Sequence, residues 1–294
     1  MTYICYYAAA TCSSIFIYEG VLMKDLTDKE FYMLRDYIKA NFGINLGIEK
    51  KSLIYSRLRS TLVEKGFADF TQYYNYLVND KSGMSVVTFI DKITTNHTFF
   101  MRETDHFSYL RETALPETEQ IFGRERDLRL WCAGCSSGEE AYTIKIIVEE
   151  YFKGKGWNTD ILATDISTTV LTKALNGQYL KENMGNMPPD WLKKYFVPQG
   201  ENYAVCDDIK KGIIFRKFNL MNPSFTFKKK FHIVFCRNVM IYFDLNTRQE
   251  LVEKFYNATE DGGYFFIGHS ESLSNTKTNY KYIMPAVYRK ESGG

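Results

Sequence analysis

The sequence predicts an α/β fold, a doubly wound and mainly parallel sheet, set behind an N-terminal helical domain and interrupted by a small inserted subdomain. Three observations lead there. Residues 24–95 show helical periodicity and no alternating strand pattern. From residue 128 onward short apolar runs alternate with amphipathic helices, and the stretch 178–212 breaks that alternation. Residues 1–23 are read as a disordered or vestigial extension, 24–95 as the helical domain, and 96–290 as the α/β domain with its insertion. With 294 residues, 45% hydrophobic and 24% charged, the chain has the composition of a soluble globular protein with a sizeable core.

The elements follow in order. The first 22 residues hold no Lys or Arg, so the positive n-region of a signal peptide is missing. Their Thr, Ser, Glu and Tyr content argues against a membrane span, and direct membrane insertion is not expected. Thr27-Asp28-Lys29-Glu30 is a capping box, with Phe31, Leu34 and Ile38 on one helix face and a stop at Asn41 to Gly43. Ile54, Leu58 and Leu62 mark a second helix, Phe70, Tyr73 and Leu77 a third, and Val86, Phe89, Ile90 and Ile93 a fourth. A further helix is expected over about 105–115. DLRLWCAG, DILATD, GIIFRKFN, FHIVFC and YFFIGH read as strands, separated by helices in GEEAYTIKIIVEEYF, TTVLTKALN and NTRQELVEKFYNATE. The insertion holds a short helix, PPDWLKKYF, and two weak strand-like pieces.

Residues 131–142, WCAGCSSGEEAY, overlay three signatures of which at most one can hold. Cys132 and Cys135 form a C-x-x-C, but the better helix start lies beyond them at Gly138, and no proline before a strand partners the motif. Ser136, Asp244 and His269 stand in the order of a hydrolase triad, yet everything upstream of Leu128 is helical and no His-Gly-Gly loop offers half an oxyanion hole. A cofactor turn fits better: Gly134 and Gly138 let a ligand approach the backbone, and Asp165 ends the next strand, where an acid can bind ribose hydroxyls. Glu139 and Glu140 at the helix start would repel a pyrophosphate, so a cationic nucleoside, S-adenosylmethionine, suits the turn. Net charge is +2, giving no electrostatic footprint for nucleic acid, and the six cysteines are too sparse for a disulfide scaffold. His97, His106, His232 and His269 show no ligand spacing, so no metal is expected. His269 is expected to satisfy a local hydrogen bond.

With those residues in view, the chain resembles the chemotaxis receptor methyltransferase (CheR) family over about residues 24–290. The likeness rests on TTNHTFFMRE (94–103), AGCSSGEEAY (133–142), LATDIS (162–167), FCRNVMIYFD (235–244) and GHSESL (268–273), in family order. It implies a class I, Rossmann-like, S-adenosylmethionine-dependent methyltransferase sheet. The implied activity is protein-glutamate O-methylation of chemoreceptors, with S-adenosylhomocysteine as product. It further implies a cytoplasmic monomer, recruited to receptor arrays, that meets the helical cytoplasmic domain of the receptors. Carried over by position, cofactor contacts fall on Asn96, Thr98, Arg102, Glu140, Asp165, Asn219, Leu220, Cys236, Arg237 and Asn238. Arg102, Arg237 and Tyr242 are implied to face the substrate glutamate. An esterase using Ser136 and a non-catalytic cofactor-binding receptor scaffold are the competing functions.

A glutamate of pKa about 4.3 is already a nucleophile at neutral pH, so holding it in line is the task, and Arg suits that. Replacing Arg102 or Arg237 with Ala is expected to abolish turnover with the fold intact. The basic face over 50–65 (Lys50, Lys51, Arg57, Arg59, Lys65) either is simply solvated or docks an acidic receptor bundle. The hairpin region VPQGENYAVCDDIKKG is short and lacks a glycine- and proline-bearing loop, so tethering to a receptor C-terminal peptide is not expected.

Overall fold

The computed structural model describes residues 16–18, 21–94 and 97–291. The reading of residues 1–23 therefore falls largely outside the described residues; within it, β1 (Phe16–Tyr18) pairs antiparallel with β2 (Val21–Met23). The chain divides into two compact units, residues 1–95 and 96–294.

The first unit is built on α1 (Asp28–Phe42), α2 (Lys51–Lys65), α3 (Phe70–Asn79) and α4 (Met84–Ile93). The capping box forms as its spacing demands: Glu30 N–H donates to Thr27 Oγ1 at 3.3 Å, and Thr27 N–H donates to Glu30 Oε2 at 3.0 Å. Glu30 Oε1 accepts from Thr71 N–H at 2.9 Å, which fastens α1 to the start of α3. All thirteen apolar positions named above for the four helices are buried. One expectation changes here. Arg57 Nη1 donates to the carbonyls of Lys92 and Thr94, both at 3.1 Å, and so closes the C-terminus of α4. It is not a free docking cation.

The second unit opens with α5 (Thr104–Tyr109), a π turn over Leu110–Ala114 and α6 (Leu115–Phe122). The expected single helix over 105–115 is thus longer and carries a bulge, which periodicity cannot announce. Then come β3 (Leu130–Ala133), α7 (Glu139–Phe152), β4 (Ile161–Asp165), α8 (Thr168–Asn176) and β5 (Gln178–Leu180). After them lie α9 (Pro189–Tyr195), β6 (Phe196–Gln199), β7 (Asn202–Val205), α10 (Asp207–Lys211), β8 (Ile213–Lys217) and β9 (Phe231–Cys236). α11 (Leu245–Ala258), β10 (Thr259–Ile267), β11 (Tyr280–Met284) and β12 (Val287–Lys290) close the unit.

Seven strands form one sheet in the order β11-β12-β10-β9-β3-β4-β8. The five strands foreseen from sequence, β3, β4, β8, β9 and β10, are mutually parallel, while β12 runs antiparallel between β10 and β11. This is a Rossmann-like sheet with an antiparallel hairpin at one edge. The insertion is a three-stranded antiparallel sheet, β5-β7-β6, one strand more than its weak pattern suggested. Trp131, fully buried, anchors one face of the main sheet among Phe218, Phe225, Phe227, Phe231 and Phe255, and its indole N–H reaches Thr164 Oγ1 at 2.9 Å. Chain order reverses direction at β3, whose successors lie at β4 on one side and β9 on the other. The crevice beyond the carboxyl ends of β3 and β9 is therefore the expected ligand position.

Candidate active site

The loops leaving β3 and β9 meet across that crevice. Gly134 (φ 81°) and Gly138 (φ 99°) both need the left-handed region. A Cβ on Gly134 would come within 2.4 Å of Val239 Cγ2, and one on Gly138 within 2.9 Å of Ala174 Cβ and Tyr179 Oη. The atoms that exclude a side chain are the protein's own, so these glycines serve loop packing as well as conformation. Ser136 follows at φ 49°, and its N–H donates to Asp165 Oδ2 at 2.9 Å, while Ser167 N–H donates to Oδ1 at 2.9 Å. Asp165 thereby ties the loop after β3 to the turn that follows β4.

At the other wall Arg237 is buried between carboxylates. Its Nη1 lies 2.7 Å from Glu140 Oε2; its Nη2 lies 3.0 Å from Glu103 Oε2 and 2.5 Å from the carbonyl of Arg102. Burial opposes the charge of Arg237, but Glu140 and Glu103 more than restore it and hold its pKa above the ordinary value. Glu103 sits at φ 58° and also accepts from Asn238 Nδ2 at 3.3 Å and His269 N–H at 3.1 Å. Burial resists ionisation of Glu103, yet Arg237 and these hydrogen bonds keep it below the usual carboxylate range. Glu271 Oε2 accepts from the N–H groups of Asn238 and Gly268, and Oε1 from that of Ile241. Burial pushes the Glu271 carboxyl up even so.

Arg102 stands apart. It is half-buried, its Nη1 donates to the carbonyl of His97 at 2.7 Å, and among the described residues it has no carboxylate partner. Thr98, Asn219, Leu220 and Tyr242 are half-buried; Asn219 Oδ1 accepts from Met221 N–H at 2.9 Å, and Lys254 Nζ donates to the carbonyl of Leu220 at 2.7 Å. Cys236 is fully buried, its side chain and backbone alike. Asn96 lies outside the described residues. The fold therefore gathers Arg102, Glu140, Arg237 and Asn238 around Glu103, with Asp165 across the β3 loop. Glu103 was quoted in its motif but given no role; its partners are 134 to 166 positions away, beyond any local pattern.

The rival chemistries do not assemble. Cys132 and Cys135 are free, buried thiols whose pKa values burial raises well above normal, the reverse of a reactive exchanger. His269 Nε2 faces Asp105 Oδ2 at 3.0 Å and Asp244 caps α11, so Ser136 has no His–Asp pair to activate it. The local hydrogen bond expected of the His269 ring is replaced by this one, to a residue 164 positions away. Glu103, His106 and His269 bring three ligand-type atoms within 4.8 Å of one another, which sequence spacing had not suggested. The Arg237 guanidinium beside Glu103 opposes a cation there. Burial, then Arg237, pushes His106 down to about 4, so its 3.5 Å approach to Glu103 is not an ion pair at neutral pH.

Comparison with known proteins decides the family. Residues 96–288 match the family described as CheR methyltransferase, SAM binding domain, and residues 29–94 match CheR methyltransferase, all-alpha domain. The chain belongs to the CheR methyltransferase family. It is 45% identical to the chemotaxis protein methyltransferase of Borreliella burgdorferi over 90% of this chain and 95% of that protein. It is 33% identical to that of Escherichia coli over 90% and 91% of the two chains, and 33% identical to chemotaxis protein methyltransferase 1 of Pseudomonas aeruginosa over 86% and 94%. The family's cofactor is S-adenosylmethionine, and its reaction is methyl transfer to receptor glutamates. The site fits that group: carboxylates line it, and Ser136 Oγ and Arg237 Nε are buried without a partner among the described residues.

Proposed function

We propose that this chain esterifies glutamate side chains in the cytoplasmic helical domain of chemoreceptors, acting as a monomer recruited to receptor arrays. Glu140, Asp165, Asn219, Asn238, Thr98 and Asn96, with the backbone of Leu220, hold S-adenosylmethionine. When bound, that cofactor supplies an electrophilic methyl group on a sulfonium. Arg102 presents the substrate carboxylate and Tyr242 orients it. No general base is needed, because the carboxylate is ionised at neutral pH. Arg237 takes a different part from the one the family likeness implied: both its Nη atoms are engaged, bracing Glu140 and Glu103.

The observation that supports this division is the contrast between the two arginines. One is sealed by two carboxylates; the other is half-exposed and, among the described residues, meets a carbonyl and no carboxylate. A planar guanidinium without a carboxylate partner is suited to binding one from outside. Incubation with methyl-labelled cofactor and a receptor cytoplasmic domain should give label on the receptor that mild base releases. Label that is absent, or that survives base, would overturn the reading.

A further inference from the structure

The insertion reaches back to the loop after β3 through one side chain. Tyr179, the middle residue of β5, is 5% exposed, and its hydroxyl donates to the carbonyl of Ser137 at 2.6 Å. That oxygen also lies 2.9 Å from where a Cβ on Gly138 would stand, so the bond needs the glycine. Burial first, then Glu139, raises the Tyr179 pKa well above the usual phenol range, and the hydroxyl keeps the proton that it donates. The earlier part of the loop is fastened to β4: the N–H groups of Gly134 and Cys135 donate to the Thr164 carbonyl at 2.7 and 2.9 Å, and that of Ser136 to Asp165. Ser137 comes next, just ahead of Gly138 and the first turn of α7, and there the tie comes from the insertion. Behind the phenol ring Phe100, fully buried, meets Tyr179 edge-on with centroids 4.9 Å apart, and meets Phe196 of β6 at 5.3 Å. Phe100 N–H donates to the carbonyl of Asn183 at 2.9 Å. The insertion thus grips both the loop after β3 and the segment that carries Arg102.

We propose that Tyr179 is a positioning residue for the cofactor: its hydroxyl fixes the Ser137 peptide, and through it the loop 134–138 and the start of α7, in the form that S-adenosylmethionine and its product both bind. This rests on the cofactor pocket proposed above. Removing the hydroxyl leaves the Ser137 carbonyl without that donor and frees the loop to take other forms, so part of the binding energy goes into reordering it. No charge changes, so donor and product lose alike. Tyr142 offers a matched control. It is fully buried, its ring lies 6.1 Å from that of Tyr179, and its hydroxyl donates at 2.7 Å to the Ala174 carbonyl, in α8 rather than in the loop.

The test is calorimetric titration of the full chain, as wild type, Tyr179→Phe and Tyr142→Phe, with S-adenosylmethionine and, separately, S-adenosylhomocysteine. Tyr179→Phe should weaken both ligands about fivefold. In receptor labelling it should raise the cofactor KM by the same factor and leave kcat and the receptor KM within about twofold of wild type. Tyr142→Phe should lose a similar amount of stability, yet bind both ligands within about twofold of wild type. Unchanged affinity in Tyr179→Phe overturns the proposal. So do equal losses in the two variants, which mark a merely structural role. Should Tyr179→Phe not fold, Phe100→Leu, which loosens the phenol ring but keeps its hydroxyl, should weaken both ligands about threefold, and unchanged affinity there overturns the proposal. If wild type binds neither ligand, the pocket reading falls and takes this inference with it; if wild type binds both and Tyr179→Phe matches it, this inference falls alone.

Discussion

Glu30 in the helical unit and Glu103 in the α/β unit each tie together segments that are distant in sequence, by contrasting means. Glu30 lies in the first turn of a regular helix and is met by four neutral donors, the N–H and hydroxyl groups of Thr27 and Thr71. Its surroundings are fully matched and its role is architectural. Glu103 sits on left-handed backbone, shares a buried cation with Glu140, and lies beside His106, a fully buried imidazole whose ring nitrogens make no hydrogen bond among the described residues. Strain and unmatched polarity are costs that a fold keeps where it needs a site. The contrast separates a carboxylate matched within regular structure from one held, under strain, at the candidate site.

The strongest way to break the contrast is to remove the shared cation. Arg237→Ala leaves two partly buried carboxylates without their buried partner, so we expect a loss of about 3 kcal/mol and a fall in melting temperature on the order of 10 °C. Scanning calorimetry that found Arg237→Ala within 2 °C of wild type would remove the basis for treating the pair as buried charge. This replaces the expectation that the variant keeps its fold.

Acid should find the same region next. His106 is held down to about 4 by burial, then by Arg237, against about 6.5 in an unfolded chain. Between those values the unfolded chain binds a proton that the native protein refuses. Stability is therefore complete above pH 6.5 and declines as pH falls toward 4, by up to about 3 kcal/mol. Denaturant titrations from pH 7 to 4.5 should show a steeper decline in wild type than in His106→Phe; identical slopes would sink the assignment.

Arg102→Ala should reduce methyl transfer about a hundredfold, near 2.7 kcal/mol, while the melting temperature stays put. Receptor-labelling kinetics that found near-normal turnover would return the substrate carboxylate to some other residue. The smallest effect belongs to the architectural carboxylate: Thr27→Ala should cost about 1 kcal/mol through the lost cap, leaving methyl transfer at moderate temperature unchanged. A drop in turnover without melting would mean that the helical unit's cap matters to the chemistry as well.

Much of this was legible in the sequence where signals are local. The capping box, the buried faces of the four helices and the five parallel strands follow from spacing alone, because burial imposes a period on nearby residues. β11 and β12 were missed, since YKYIM and VYRK are short, and their pairing is set by β10 rather than by their own pattern. The start of β10 was also misplaced: Thr259 to Gly263 reads as a helix end and a turn, yet belongs to the strand through a register shift before Tyr264. In the site, residue types pointed to a cationic nucleoside, but which arginine would be sealed depended on Glu103, whose neighbours only the tertiary fold supplies. Likewise the Ser136, Asp244 and His269 order looked like a triad until Asp105 took the imidazole.

Glu271 has a consequence of its own. Its two oxygens face N–H groups from both the Asn238–Ile241 turn and Gly268, so every direction in which it is met offers a hydrogen. A glutamine of the same shape would turn an amide N–H₂ toward one of them, donor against donor. The turn is thus intolerant of reversed polarity, and an isosteric exchange there should prove harsher than its size suggests.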